Sequence, residues 1–98
     1  MSVSLLCHAA LVYADLAQTK LAFDYLFEAH KTFDQMLDNS GKVFAGCLLR
    51  HAFDLIFLPE QRAAAYAAMA ERHHQQQDFK LAAKMYQAAS QKDPAHAE

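Results

Sequence analysis

The chain reads as an all-α protein of about five antiparallel helices. Three observations predict this class. Glycine and proline number only two each, too few for a turn-rich β-sandwich. Apolar residues recur three and four positions apart through most of the chain, the spacing of a single helix face. The breaker-rich stretches are short and leave five segments, each long enough for a helix.

The first helix is expected over residues 3–16. Ser2 or Ser4 can cap it, and Leu5, Leu6, Ala9, Ala10 and Tyr13 fall at helical spacing. Gln18-Thr19 marks the turn, with Thr19 as cap of the second helix, residues 20–38. Leu21, Ala22, Tyr25, Ala29, Phe33 and Leu37 form its apolar band. Lys20, Asp24, Glu28 and Lys31 on the other side suit solvated ion pairs, an ordinary surface.

Asp38-Asn39-Ser40-Gly41 is the clearest loop. A left-handed Gly41 or Asn39 would end the second helix, and Ser40 would cap the third, residues 42–57. That helix is apolar nearly all round. Val43, Phe44, Cys47, Leu48, Leu49, Phe53, Leu55, Ile56 and Phe57 leave only Lys42, Arg50 and Asp54, with Gly46, as a thin polar line. Such a helix must be covered on most sides, so it is the centre of the fold or partly an interface.

Leu58-Pro59-Glu60 turns the chain into the fourth helix, which runs to His74 or Gln75. Proline suits the first helical turn and Glu60 complements the dipole there. After a turn at Gln76-Asp78, the fifth helix is expected over residues 79–91 with Asp78 as its cap. Asp93-Pro94 is a strong stop, and residues 95–98 are a frayed tail. One domain over 1–94 fits the length, and it would bury about 60–65% of its unfolded surface.

Composition narrows the function classes. The chain is 54% hydrophobic and 20% charged, too apolar for disorder. The net charge is −2 and the nine Lys and Arg residues are scattered. Nucleic-acid binding needs a basic stripe, so none is expected. Cys7 and Cys47 form no C-x-x-C pair and lie in apolar helices, which predicts two buried free thiols in a reducing, cytoplasmic setting. The opening apolar run has no Lys or Arg before it, is interrupted by His8 and is too short for a bilayer. No membrane association is expected.

Six histidines raise the question of a metal. No two lie three or four residues apart; His73 and His74 are adjacent and diverge by about 100° on a helix. His30 and Asp34 share i,i+4 spacing, but two ligands are not a site. No metal or other cofactor is expected, and His73 is read as a packing residue. Cys7 and His8 diverge on their helix. Cys47 and His51, four apart, could touch, yet no Gly-rich loop or oxyanion hole accompanies them. The chain is not expected to be an enzyme.

The stretch 63–94 carries a pattern. Small residues lie where two helices would meet (Ala70, Ala82, Ala89), with Tyr66, Phe79 and Tyr86 between them and Pro94 at the close. Displaced by 60 residues, Leu6 aligns with Tyr66, Ala9 with Met69, Ala10 with Ala70 and Tyr13 with His73. Ala22 then aligns with Ala82, Leu26 with Tyr86, Ala29 with Ala89 and Asp34 with Pro94. Both stretches resemble the tetratricopeptide repeat, a helix–turn–helix unit of about 34 residues. The resemblance covers about two thirds of the chain. It departs from the family at His73, where the family prefers Tyr, and at Asp34, where it has Pro.

The resemblance implies protein binding on the inner face made by first helices. Matched by position, that face would show Cys7, Leu11, Ala14 and Asp15 from the first helix, and Ala64, Ala67, Glu71, His74 and Gln75 from the fourth. The partner-binding set expected is therefore Cys7, Leu11, Asp15, Ala67, Glu71, His74 and Gln75. The family's clamp for chaperone C-termini uses Lys, Arg and Asn where this chain has Cys7, Leu11, Ala64 and Ala68, so that activity is not expected. A neutral-to-apolar face suits an amphipathic or apolar segment of another protein. The reading is a small protein-binding module, a chaperone or regulatory adaptor, similar in size and architecture to small secretion chaperones. The alternative is a structural homodimer or assembly subunit with the central helix at the interface. Three uniform repeats would set the copies 68 apart, not 60, so the middle helix is an odd one. The outcome is a compact five-helix domain or an assembly in which a second chain supplies surface.

Overall fold

A computed structural model of the chain describes residues 2–92. The regular structure among them is α-helical: α1 (Val3–Asp15), α2 (Thr19–Asp34), α3 (Asn39–Ile56), α4 (Pro59–Gln75) and α5 (Phe79–Lys92). The all-α, five-helix reading holds. The expected stop at Asp93-Pro94 and the tail over 95–98 lie outside the described residues. No helix among the described residues is long and apolar enough to cross a membrane. The chain divides into two compact units, Met1–Ile56 and Phe57–Glu98.

In the first unit, α1 begins where Ser2 takes an extended conformation and its hydroxyl accepts the Leu5 N–H at 3.2 Å. That satisfies one of the donors a helix start leaves orphaned. The helix ends in a Schellman closure. Ala17 N–H donates to the Ala14 carbonyl at 3.0 Å and Gln18 N–H to the Tyr13 carbonyl at 2.8 Å, with Ala17 at φ 61°.

Thr19 is the first residue of α2 and not its cap; Gln18 holds the cap position without a side-chain bond. The helix stops at Asp34, four residues short of the expected end. Leu37 is 94% exposed, so no burial rewards another turn. Ala10, Ala22 and Ala29 are buried, and small residues let α1 and α2 approach closely. Tyr13 and Tyr25 stack across the pair, centroids 5.3 Å apart.

α3 begins earlier than its composition suggests. The Asp38 carboxylate accepts the Ser40 N–H at 3.1 Å and the Asp38 carbonyl accepts the Lys42 N–H at 2.8 Å. Asp38 is thus the turn's organiser, in place of Ser40. Asn39 and Gly41 lie inside the helix, neither at positive φ. α3 packs on both α1 and α2 through Ala45, Leu49, Ala52 and Phe53. His30 of α2 meets Phe53 edge-on, centroids 6.3 Å apart. At Gly46 a Cβ would come within 3.2 Å of the Phe33 ring, so a side chain there would require that ring to give by a few tenths of an ångström. The other side of α3 is bare: Val43, Phe44, Cys47 and Leu55 are exposed. The expectation that Cys47 is buried is corrected here, and of the two readings of α3, a centre of the fold covered on most sides by its own chain does not hold. Periodicity cannot tell which apolar side of such a helix finds a neighbour.

In the second unit, Leu58 is extended and Pro59 opens α4. The Leu58 N–H donates to Gln61 Oε1 at 3.0 Å, and Arg62 Nε donates to the Phe57 carbonyl at 3.0 Å. The α4–α5 turn repeats the α1–α2 turn 60 residues on. Gln77 sits at φ 64°, its N–H donates to the His74 carbonyl at 3.0 Å, and Asp78 N–H donates to the His73 carbonyl at 2.9 Å. Asp78 then caps α5, its carboxylate accepting the Leu81 N–H at 3.3 Å. Ala70, Ala82 and Ala89 are buried, as their counterparts Ala10, Ala22 and Ala29 are. His73 is fully buried.

Candidate partner-binding surface

α4 and α5 pack against one another, and the residues they bury share one side of each helix: Ala65, Tyr66, Met69, Ala70 and His73 on α4, Leu81, Ala82, Met85 and Ala89 on α5. Along one edge of this pair the side chains are too small to fill the space. An open concavity of about 380 Å³ results, lined by Ala63, Ala64, Ala67, Ala89 and Ser90. It carries no charge. Its chemistry suits an aliphatic or aromatic side chain presented by another backbone.

The expected binding residues are distributed unevenly. On α4, Ala67 lines the concavity. Glu71, His74 and Gln75 are exposed and continue Ala67's face at four, seven and eight residues' spacing. The His74 ring lies edge-on to Phe79, centroids 5.4 Å apart. On α1, Leu11 is half-buried and Asp15 exposed. Cys7 is fully buried and offers no surface; burial pushes its thiol up to about 11. Cys7 therefore leaves the binding set.

Sequence reasoning missed Ala63, Ala89 and Ser90 as a lining. The signal was present in the 60-residue displacement, which maps them onto Val3, Ala29 and His30, three residues of the first unit that are buried. Cys47 and His51 are exposed on α3. Among the described residues no group of three or more His, Cys, Asp and Glu could hold a metal ion.

No protein-family model matches this chain, and neither a curated protein nor a solved structure matches it.

Proposed function

We propose that the chain is a small protein-binding module, tetratricopeptide-like in its helix pairs, that buries an apolar or amphipathic helix of a partner polypeptide as a chaperone or adaptor would. One observation carries this reading. The concavity residues Ala63, Ala64, Ala67, Ala89 and Ser90 correspond, 60 residues earlier, to Val3, Ser4, Cys7, Ala29 and His30. Four of those five are at most 8% exposed, in a helix pair against which α3 packs. The first unit thus supplies an example of what fits such a groove: a helix with Ala45, Leu49, Ala52 and Phe53 along one side. Burying one large apolar side chain stabilises by about 1.5–3 kcal/mol, and only what exceeds the roughly 4–15 kcal/mol lost in translational and rotational freedom appears as affinity, so several such side chains must be buried together.

The test is binding of a synthetic helix of residues 39–56, followed by fluorescence anisotropy. Ala67→Arg is expected to weaken it at least about tenfold, the effect of ~1.4 kcal/mol, with helical circular dichroism unchanged. Equal binding by a folded Ala67→Arg variant removes the groove from the reading.

A second reading, a homodimer with α3 at its two-fold, is favoured by the exposed Val43, Phe44 and Leu55 around Cys47. Oxidation of a Cys7→Ala variant tests it. A disulfide needs Cα atoms within about 7 Å, so quantitative Cys47–Cys47 cross-linking supports that arrangement and its absence speaks against it.

A further inference from the structure

We propose that the helix filling the α4–α5 groove is α1 of a second copy of this chain, so that copies join head to tail; this rests on the groove reading above. The groove is one half of the argument. Its counterpart residues in the first unit, Val3, Cys7, Ala29 and His30, are buried, with Phe53 of α3 against His30, whereas in the second unit the same positions line an open concavity. Tyr86 of α5 is 48% exposed where its counterpart Leu26 of α2 is fully buried. The same helix-pair positions are buried in one unit and open in the other.

The other half lies on α1. Leu5, Val12 and Leu16 are 59%, 56% and 59% exposed, and with Ala9 they mark positions 5, 9, 12 and 16. Steps of four, three and four residues keep side chains in one stripe along a helix, the seam that packs on a neighbouring helix. Forty residues on, the corresponding positions are Ala45, Leu49, Ala52 and Ile56. Ala45, Leu49 and Ala52 are buried residues of α3, and Ile56 is half-buried. So α1 holds outward the stripe that α3 turns inward. The chain carries an open groove and, on α1, an exposed apolar stripe with the same spacing as the one α3 buries.

Charge permits the union. α1 contains no Lys or Arg, and its one acidic residue, Asp15, is at the C-terminal end. The groove lining is uncharged, so docking buries no unpaired ion. The two surfaces are different patches on one chain. Their contact is heterologous and propagates into open chains or closes into a ring, unlike a two-fold dimer. A 13-residue α1 is about 20 Å long, a small interface, so the association is weak and concentration-dependent.

Sedimentation equilibrium of the full chain from about 10 to 500 µM tests this. The weight-average mass is expected to rise above the 11.0 kDa monomer without levelling at two copies, or to level at a ring. Val12→Glu spoils the helix and Ala67→Arg the groove; each alone is expected to remain monomeric, weakened at least tenfold. Mixed in equal amounts, they retain one good groove and one good α1, and are expected to form a dimer and nothing larger. Leu5→Glu replaces Val12→Glu if circular dichroism shows that variant unfolded. A wild-type monomer throughout the range overturns the proposal, as does a mixture that stays monomeric or a dimer indifferent to both variants. Binding of the 39–56 helix by the Val12→Glu variant separates the two readings. If the peptide binds but the chains do not associate, the second copy falls and the groove stands; if neither occurs, both fall.

Discussion

Ala17 and Gln77 hold the same left-handed backbone, at φ 61° and 64°, in turns closed by matching hydrogen bonds. A side chain at such a position costs about 1–2 kcal/mol, because its Cβ crowds the following carbonyl. Glycine removes that cost but loses about 0.5–1 kcal/mol through its freer unfolded state. Ala17→Gly and Gln77→Gly are each expected to stabilise the fold by about 0.5–1 kcal/mol, seen as a higher urea midpoint at unchanged slope. Ala17→Val is expected to lower it, since a β-branched residue resists positive φ.

Asp38 and Asp78 each accept a backbone N–H near the start of a helix, from Ser40 and from Leu81. Replacing either by alanine is expected to cost about 1 kcal/mol. Asparagine retains the acceptor and is expected to lose less. Equal losses in the Ala and Asn variants would transfer the effect from the hydrogen bond to the charge at the helix N-terminus.

Phe53 is fully buried and lies against His30. Phe53→Ala is expected to cost about 3–5 kcal/mol, the transfer term plus the cavity it leaves. Thermal melting checks this. A cost under about 1 kcal/mol, typical of surface positions, would mean that α3 does not rest on α2 through this ring.

Cys7 and Cys47 are expected to differ sharply toward a thiol reagent at pH 8. Cys47 is exposed and Cys7 buried, so Cys47 is labelled in the native protein and Cys7 only after unfolding. The folded Cys7 thiol is raised from 9.0 to about 11. Between those values the folded chain keeps a proton that the unfolded chain has lost, so stability falls as pH rises through the interval. The contribution is full below pH 9 and declines by on the order of 2 kcal/mol toward pH 11. Cys7→Ala is expected to remove this slope, read as urea midpoints at pH 8 and pH 10.5.

Fold class and helix placement were legible in the sequence where local chemistry decides them. Ser2, Pro59 and Asp78 mark helix starts, and the Gln76-Asp78 turn falls where breakers interrupt the apolar period. The 60-residue displacement reappears in the backbone of the two turns. Less legible was anything set by which neighbour arrives. Asn39, Ser40 and Gly41 read as a loop, but Asp38 caps the chain ahead of them and they become α3's first turn. Both cysteines read as buried thiols; Cys7 is buried and Cys47 is exposed, and since both lie in apolar helices, the difference is which side of each helix packs. For the candidate surface, Ala67 was identified together with the exposed Glu71, His74 and Gln75. Ala89 and Ser90 were not, because small residues in an Ala-rich helix look alike until the opposite helix is in place.

Gln18 occupies the cap of α2 with no side-chain bond, whereas Asp78 in the matching turn holds the Leu81 N–H. The two helix starts share a backbone path but not a latch. Opening of the first turn of α2 is therefore the easier local fluctuation, and its amides should exchange with deuterium faster than those of α5 at residues 80 and 81. Two copies of one fold element thus carry different clocks: the pair already holding α3 starts its second helix loosely, and the pair with the bare groove keeps its second helix fastened.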